Sequence, residues 1–294
     1  MSLRLAVATE DFGSSLRGCL DAATQLQVDG VRLNARSELN ATSATQSELR
    51  QILRYIQERQ MKVGGLYCPV KHALFEEEFL EPRLDVIRAT MSIARSLQTP
   101  DVLVRCGPIP QSGQPEGQEA GKQPTPDSFD TLFSVGTTSP KKSPKAKRDL
   151  LCELLSDLTR HGNHVGCTLN LIVTSYDTST IRSLLNDINE GPLRIVFDPA
   201  TAVMDGGEPE PVFRQLHDVL GCMRARDAGT NLDGGGMETR LGDGNVNWLE
   251  LIPTLIEADF PGWVCVERTG GDTRAADVAT GVKRIRELLP QTEN

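Results

Sequence analysis

Leu3-Arg4-Leu5-Ala6-Val7-Ala8-Thr9 is followed by a helical stretch, Ser14–Gln27, and then by Gly30-Val31-Arg32-Leu33-Asn34-Ala35. The two short segments are largely apolar on both parities, as strands covered on both faces are. The stretch between them gathers Leu16, Leu20, Ala23 and Leu26 on one helical face. Together they make a strand, a crossover helix and a second strand, and such crossovers are right-handed. The unit recurs along the chain. Further strands are expected at Met61–Cys68, Asp101–Cys106, Cys167–Thr174, Leu193–Phe197, Leu220–Ala225 and Gly262–Glu267. Helices are expected at Thr45–Arg59, Pro82–Leu97, Ala146–Thr159, Thr180–Ile188, Pro209–Asp218, Trp248–Ala258 and Ala275–Leu289. The first of these opens with Thr45-x-x-Glu48, a capping-box pattern. Eight strand–helix units predict the α/β class, with a parallel sheet closed as a (β/α)8 TIM barrel. An open doubly wound sheet is the alternative. Ala8-Thr9-Glu10-Asp11-Phe12-Gly13 after the first strand lacks the G-x-G-x-x-G of its dinucleotide-binding form.

The 294 residues suit one barrel domain, which typically takes roughly 250 residues, although length alone also allows two domains. One stretch breaks the rhythm. Pro108–Lys147 is rich in Pro, Gly, Gln, Ser and Lys, and is expected to be a disordered insertion after the fourth strand. Its plain reading is a solvated tether; the alternative is a lid with Phe129, Leu132, Phe133 and Val135 as the docking patch. The run Lys141–Arg148 is read as a solvated basic face.

Lys and Arg total 31 and Asp and Glu total 40, a formal charge of −9. That balance argues against general nucleic-acid or anionic-membrane partners. No apolar run reaches the ~20 residues that span a bilayer, and the start, Met1-Ser2-Leu3-Arg4, carries no export signal. The seven cysteines are scattered and never spaced C-x-x-C. Reduced thiols and a cytoplasmic location are the expectation.

In a barrel of this type, chemistry collects at the C-terminal strand ends. Asp198 and Glu267 each follow an apolar run directly, in Ile195-Val196-Phe197-Asp198 and Trp263-Val264-Cys265-Val266-Glu267. A carboxylate there is costly to bury without a cation, an arginine or a substrate hydroxyl. Arg36, Arg105, Arg224 and Arg226 stand at or beyond strand ends and suit carboxylate or phosphate, because a guanidinium grips such groups with two prongs. His72 is a candidate acid near the mouth. His161-x-x-His164 reads better as a surface pair near a helix end than as metal ligands. Gly229, Gly234-Gly235-Gly236 and Gly270-Gly271 follow the last two strands, where barrels often bind phosphate, but glycine runs alone also make plain turns. A thiolate at Cys68 assisted by His72 is the least favoured reading.

The C-terminal third carries a resemblance. Arg240-Leu241-Gly242-Asp243-Gly244-Asn245-Val246-Asn247-Trp248, a helix, and Phe260-Pro261-Gly262-Trp263-Val264-Cys265-Val266-Glu267 resemble the sugar phosphate isomerase/epimerase family with its xylose isomerase-like barrel. The stretch Asn34–Leu39 is similar to planctomycete-type members. The resemblance implies a small sugar or sugar acid as substrate, proton transfer as the reaction, and four strand-end metal ligands. Asp198 and Glu267 match two of them. Ile172 stands where the fifth strand's glutamate is expected, Arg224 where the seventh strand's histidine is expected, and Thr201 where a histidine or asparagine often follows. Arg226 and Asp227 resemble the family's basic–acidic pair. This implies an isomerase or epimerase with a degenerate metal site. Asp198 and Glu267 then hold at most a weakly bound Mn²⁺ or Mg²⁺, or none. Glu267, Asp198 and Arg224 would act on the ligand, and Arg36, Arg105, His72, Arg226 and Asp227 would bind it. The alternative is a non-catalytic descendant that binds a small anionic ligand or a partner protein. A phosphodiesterase of the endonuclease IV type needs a His and carboxylate cluster that the four histidines do not supply.

Overall fold

The computed structural model describes residues 3–13, 15–111, 143–188, 190–230 and 235–290. Eight parallel strands close into a barrel: β1 (Arg4–Ala8), β2 (Gly30–Asn34), β3 (Lys62–Cys68), β4 (Asp101–Gly107), β5 (Thr168–Val173), β6 (Leu193–Phe197), β7 (Leu220–Ala225) and β10 (Trp263–Val266). They neighbour one another in chain order, and β10 returns to pair with β1. Around them lie α1 (Leu16–Gln25), α2 (Gln46–Gln57), α3 (Leu80–Ala94), α4 (Pro144–Val165), α5 (Thr178–Asp187), α6 (Pro199–Met204), α7 (Pro209–Leu216), α8 (Trp248–Glu257) and α9 (Arg274–Leu288). The protein is a (β/α)8 TIM barrel, as the alternation predicts. Thr45 and Glu48 form the expected capping box on α2.

Three elements escaped the sequence reading. α6 follows β6 at once, with Asp198 as its N-cap and Pro199 in its first turn. After β7 the chain forms an antiparallel hairpin, β8 (Asp227–Thr230) and β9 (Gly236–Thr239), over the stretch read as a glycine-rich loop. The insertion expected at Pro108–Lys147 also ends sooner than proposed. Ser143 caps α4, whose first residues are Pro144–Lys147. Residues 112–142 of that stretch, with the patch Phe129, Leu132, Phe133 and Val135, lie outside the described residues.

The barrel interior is packed in two groups. Leu103, Ile172, Val196 and Cys222 form one, with Tyr67 against it, and Ala6, Ala8, Trp263 and Cys265 form the other. Trp263 takes its place because β2 and β3 present glycines to it. A Cβ on Gly30 would come within 2.8 Å of the indole, and one on Gly64 within 3.0 Å. The larger core lies between the barrel and the helices and includes Leu33, Leu66, Leu169, Phe197 and Phe213. All seven cysteines are free, and only Cys152 is more than slightly exposed. Among the described residues no helix is long and apolar enough to cross a membrane.

Candidate functional site

At the C-terminal end of the barrel, Glu267 follows β10 and is buried. Its Oε1 receives the Nε of Arg224, and its Oε2 pairs with the guanidinium of Arg32. Asp198 follows β6 and is also buried. Its Oδ2 lies 3.4 Å from Arg224 Nη1 and 3.3 Å from Arg226 Nη1. Its Oδ1 caps α6 by accepting the Thr201 N–H at 3.2 Å. Tyr176 fixes the backbone here: its hydroxyl donates to Val196 O at 2.7 Å and accepts the Asp198 N–H at 2.6 Å. Arg224 therefore bridges the two carboxylates that the sequence singled out.

Arg32 was missed by the sequence reading, which took Arg36 for the functional cation of the second strand. Yet it sits in a buried strand between two apolar residues, with Ala8 on β1 and Gly65 on β3 as its register neighbours. Tyr67 presents its ring 5.6 Å from the charge, a favourable cation–π position. Burial alone would lower the guanidinium's proton affinity, but the Glu267 carboxylate reverses this and holds it well above its ordinary value. Burial likewise pushes the Glu267 carboxyl up, and Arg224 and then Arg32 override it, bringing the carboxyl to about 2.

A second carboxyl behaves in the opposite way. Asp11 lies in the 3-10 turn Thr9–Phe12 after β1 and is buried. Its Oδ2 accepts the Arg268 N–H at 3.0 Å, and Arg274 Nη1 is 3.8 Å from Oδ1. Burial, then the charge of Glu267, push this carboxyl up to about 7. A raised carboxyl takes up a proton on folding, so its contribution to stability is complete below about pH 4 and is lost as pH rises through about 7. Asp11→Asn is expected to remove that loss. The gain at pH 8 should be about 2 kcal/mol, after subtracting the hydrogen bond to Arg268. Urea unfolding at pH 5 and pH 8 checks it: the wild type should lose stability between the two, and the variant should not.

The other expected site residues separate into three groups. Arg226 joins the centre, linking Asp198 to Glu238 on β9, with its Nε 3.1 Å from Glu238 Oε1. Arg36 and Arg105 lie at the mouth and are exposed. Arg105 is two residues beyond the inward-facing Leu103 and so faces the same way. Neither side chain has an ion-pair or hydrogen-bond partner among the described residues. His72 and Asp227 stand apart from the centre. His72 Nδ1 pairs with Glu76 at 3.0 Å in the loop after β3. Asp227, expected to bind ligand, is fully buried, and its carboxylate is used up structurally. Oδ1 accepts N–H groups from Ala228 (2.8 Å) and Val246 (3.1 Å), and Oδ2 accepts those of Gly242 (2.7 Å) and the Trp248 indole (2.8 Å). No lone pair is left for a ligand.

Ile172 lies in the apolar layer with Leu103, Val196 and Cys222, so β5 offers no donor where the resemblance expects a glutamate. Thr201 sits in the first turn of α6, where its N–H meets Asp198. His161 and His164 lie within the last turns of α4, and His161 Nε2 is 3.4 Å from Ser92 Oγ. Cys68 and Cys106 are buried, which raises both thiols, Cys106 to about 12, a poor setting for a nucleophile.

The fold and this strand-end constellation define a class. The xylose isomerase-like TIM barrel profile matches residues 20–288, and the chain belongs to that family. Solved structures with the same fold include a xylose isomerase domain protein from Planctomyces limnophilus, at 18% identity and TM-score 0.77, covering 98% of both chains. A 3-keto-D-glucoside 4-epimerase from E. coli aligns over 97% of this chain and 99% of its own, at 11% identity and TM-score 0.71. A xylose isomerase-like barrel from Mycobacterium smegmatis, in complex with magnesium, covers 98% of this chain and 96% of its own, at 14% identity and TM-score 0.72. No curated protein matches the sequence.

The residues at the centre do not suit a divalent cation. Magnesium takes about six oxygen ligands, and a guanidinium can ligate nothing. Here Asp198 and Glu267 are each ion-paired to Arg224, and Ile172 contributes no donor atom. Among the described residues no three His, Cys, Asp or Glu side chains gather around one point.

Proposed function

We propose that this barrel is a non-catalytic member of its family that binds a small anionic, sugar-like ligand at the mouth. The observation that carries the reading is the Arg224 guanidinium between Asp198 and Glu267, in the place where the resemblance puts a histidine ligand. A fixed protein charge there replaces the coordinated cation and closes both carboxylates to substrate. Catalysis by proton transfer needs a base whose pKa lies near the working pH. Glu267, held at about 2, is some five units too acidic at neutral pH. The sequence expectation of Glu267 as a base is therefore set aside in favour of its alternative. Arg36 and Arg105 supply the attraction. Arg36 lies two residues beyond β2 and Arg105 near the end of β4; the two strands flank β3 and so stand about 10 Å apart, within reach of one small anion and its hydroxyls.

Incubating the protein in D₂O with ketoses, sugar acids and sugar phosphates, with and without Mn²⁺ and Mg²⁺, tests the reading. Anionic sugars should raise the melting temperature with no dependence on metal, and no carbon-bound deuterium should appear. Deuterium incorporation, or a stoichiometric divalent ion in the purified protein, overturns it. Restoring the implied ligands by Ile172→Glu with Arg224→His should bring back micromolar Mn²⁺ binding, read by calorimetry.

A further inference from the structure

β9 reaches over the barrel end and sets Glu238 against the loop after β10. That carboxylate meets an unusual number of donors. Its Oε1 accepts the Thr269 N–H at 3.0 Å and Arg226 Nε at 3.1 Å. Its Oε2 accepts the Gly270 N–H at 3.1 Å and the Thr269 hydroxyl, and Arg268 Nη1 lies 3.3 Å away. Two successive backbone N–H groups, a hydroxyl and two guanidinium groups converge on one point, the composition of an oxyanion cradle. It is built from the loops after the seventh and eighth barrel strands, where TIM barrels commonly hold phosphate. Its arginines are well covered, with side-chain exposures of 10% for Arg226 and 16% for Arg268.

The fit of Glu238 is incomplete. Arg268 Nη1 is buried and makes no hydrogen bond, although it lies within ion-pair distance of Glu238 Oε2. A carboxylate is planar and has two oxygens. It already accepts four hydrogen bonds here, and no oxygen remains in line with the fifth donor. A tetrahedral phosphate monoester offers three terminal oxygens and a second negative charge. Such a group satisfies the same donors and also Arg268 Nη1.

We infer that Glu238 is an internal stand-in for a phosphate monoester: the cradle of Arg226, Arg268, Thr269 and Gly270 is a phosphate site that the β8–β9 hairpin fills until the ligand displaces it. The inference rests on the proposed reading for the sugar-like body of the ligand and deepens it by adding a phosphate, held apart from the rim of Arg36 and Arg105, and the latch that phosphate must open. Arg226 also touches Asp198 at 3.3 Å, so displacement of Glu238 is felt at the barrel centre. No covalent step is involved; one oxyanion exchanges for another.

The test uses inorganic phosphate alone, with the full chain at constant ionic strength, read by ³¹P NMR titration and calorimetry. Glu238→Gln removes the competing charge and keeps the side-chain shape. It should tighten phosphate binding at least tenfold over wild type and tighten acetate binding less. Adding Arg268→Gln to that variant should abolish the gain. In the wild type, saturating phosphate should speed hydrogen exchange across residues 236–239 and slow it at Thr269 and Gly270, a readout that stands even if a variant folds poorly. A phosphate affinity within twofold of wild type in Glu238→Gln, a gain indifferent to Arg268, or unchanged exchange in the hairpin overturns the inference. Because no sugar and no turnover enter this experiment, its failure is distinct from the appearance of deuterium or a bound metal, which overturns the non-catalytic reading.

Discussion

Asp227→Ala should be among the most damaging single substitutions in this protein, lowering stability by about 5 kcal/mol. Four N–H donors lose their acceptor at once, those of Ala228, Gly242, Val246 and the Trp248 indole. Each donor left unsatisfied in a buried place costs about 1–3 kcal/mol. At this chain length that corresponds to a fall in melting temperature of more than about 10 °C, measurable by calorimetry. The same clamp explains the Gly242-Asp243-Gly244 turn that carries the family resemblance. A Cβ on Gly244 would lie 2.2 Å from Asp227 Oδ1, and Gly242 takes a left-handed φ of 87° while it donates its N–H. Trp248 begins α8 and closes the clamp with its indole. If Asp227→Ala kept its melting temperature and lost only ligand affinity, the carboxylate would be a ligand contact instead.

Arg224→Met is the second large effect expected. Removing the cation leaves Asp198 and Glu267 buried without their common partner, and breaking a buried ion pair in this way typically costs about 3–5 kcal/mol. Urea unfolding at pH 7 reads it directly. A loss under about 1 kcal/mol would mean that Arg224 extends into water and does not bridge the two carboxylates. The acid limb gives an independent check. Glu267 is lowered from 4.5 to about 2 by Arg224 and Arg32, which stabilises the folded chain by about 3 kcal/mol at neutral pH. A depressed carboxyl contributes fully above its ordinary value, and the contribution is lost as pH falls through about 2. In Arg224→Met, Glu267 keeps only Arg32 and Arg226, so acid unfolding should begin at a higher pH than in wild type.

Asp198 and Glu267 were legible because each ends an apolar strand, where burial makes a carboxylate conspicuous. Arg224 was legible through the family pattern, in which a guanidinium is out of place. Arg32 was not, although Val31-Arg32-Leu33 contains the signal of a charge on the inner parity of a buried strand. Its partners, Glu267 and the Tyr67 ring, are distant in sequence and come near it only when the barrel closes. Glu238 was hidden for a related reason. It lies in a four-residue strand beside a glycine run, too short for any period to show, and its partners come from the next strand's loop. Asp227 was assigned to ligand from its place in a motif, whereas its four donors identify it as a structural clamp.

The sequence by itself determined the barrel. Strand burial on both faces and helical burial on one are properties of local composition, and eight repeats of them leave a closed parallel sheet as the simplest way to cover every apolar face. It also placed Asp198 and Glu267 at the mouth, because strand ends follow from strand lengths. Only the tertiary structure decided their state. Whether Glu267 is a free base or a locked anion, and whether Glu238 faces solvent or fills a cradle, depends on which guanidinium groups the closed barrel brings within about 3 Å. Ionic interactions at that range are set by side-chain packing between remote strands, which no local pattern encodes.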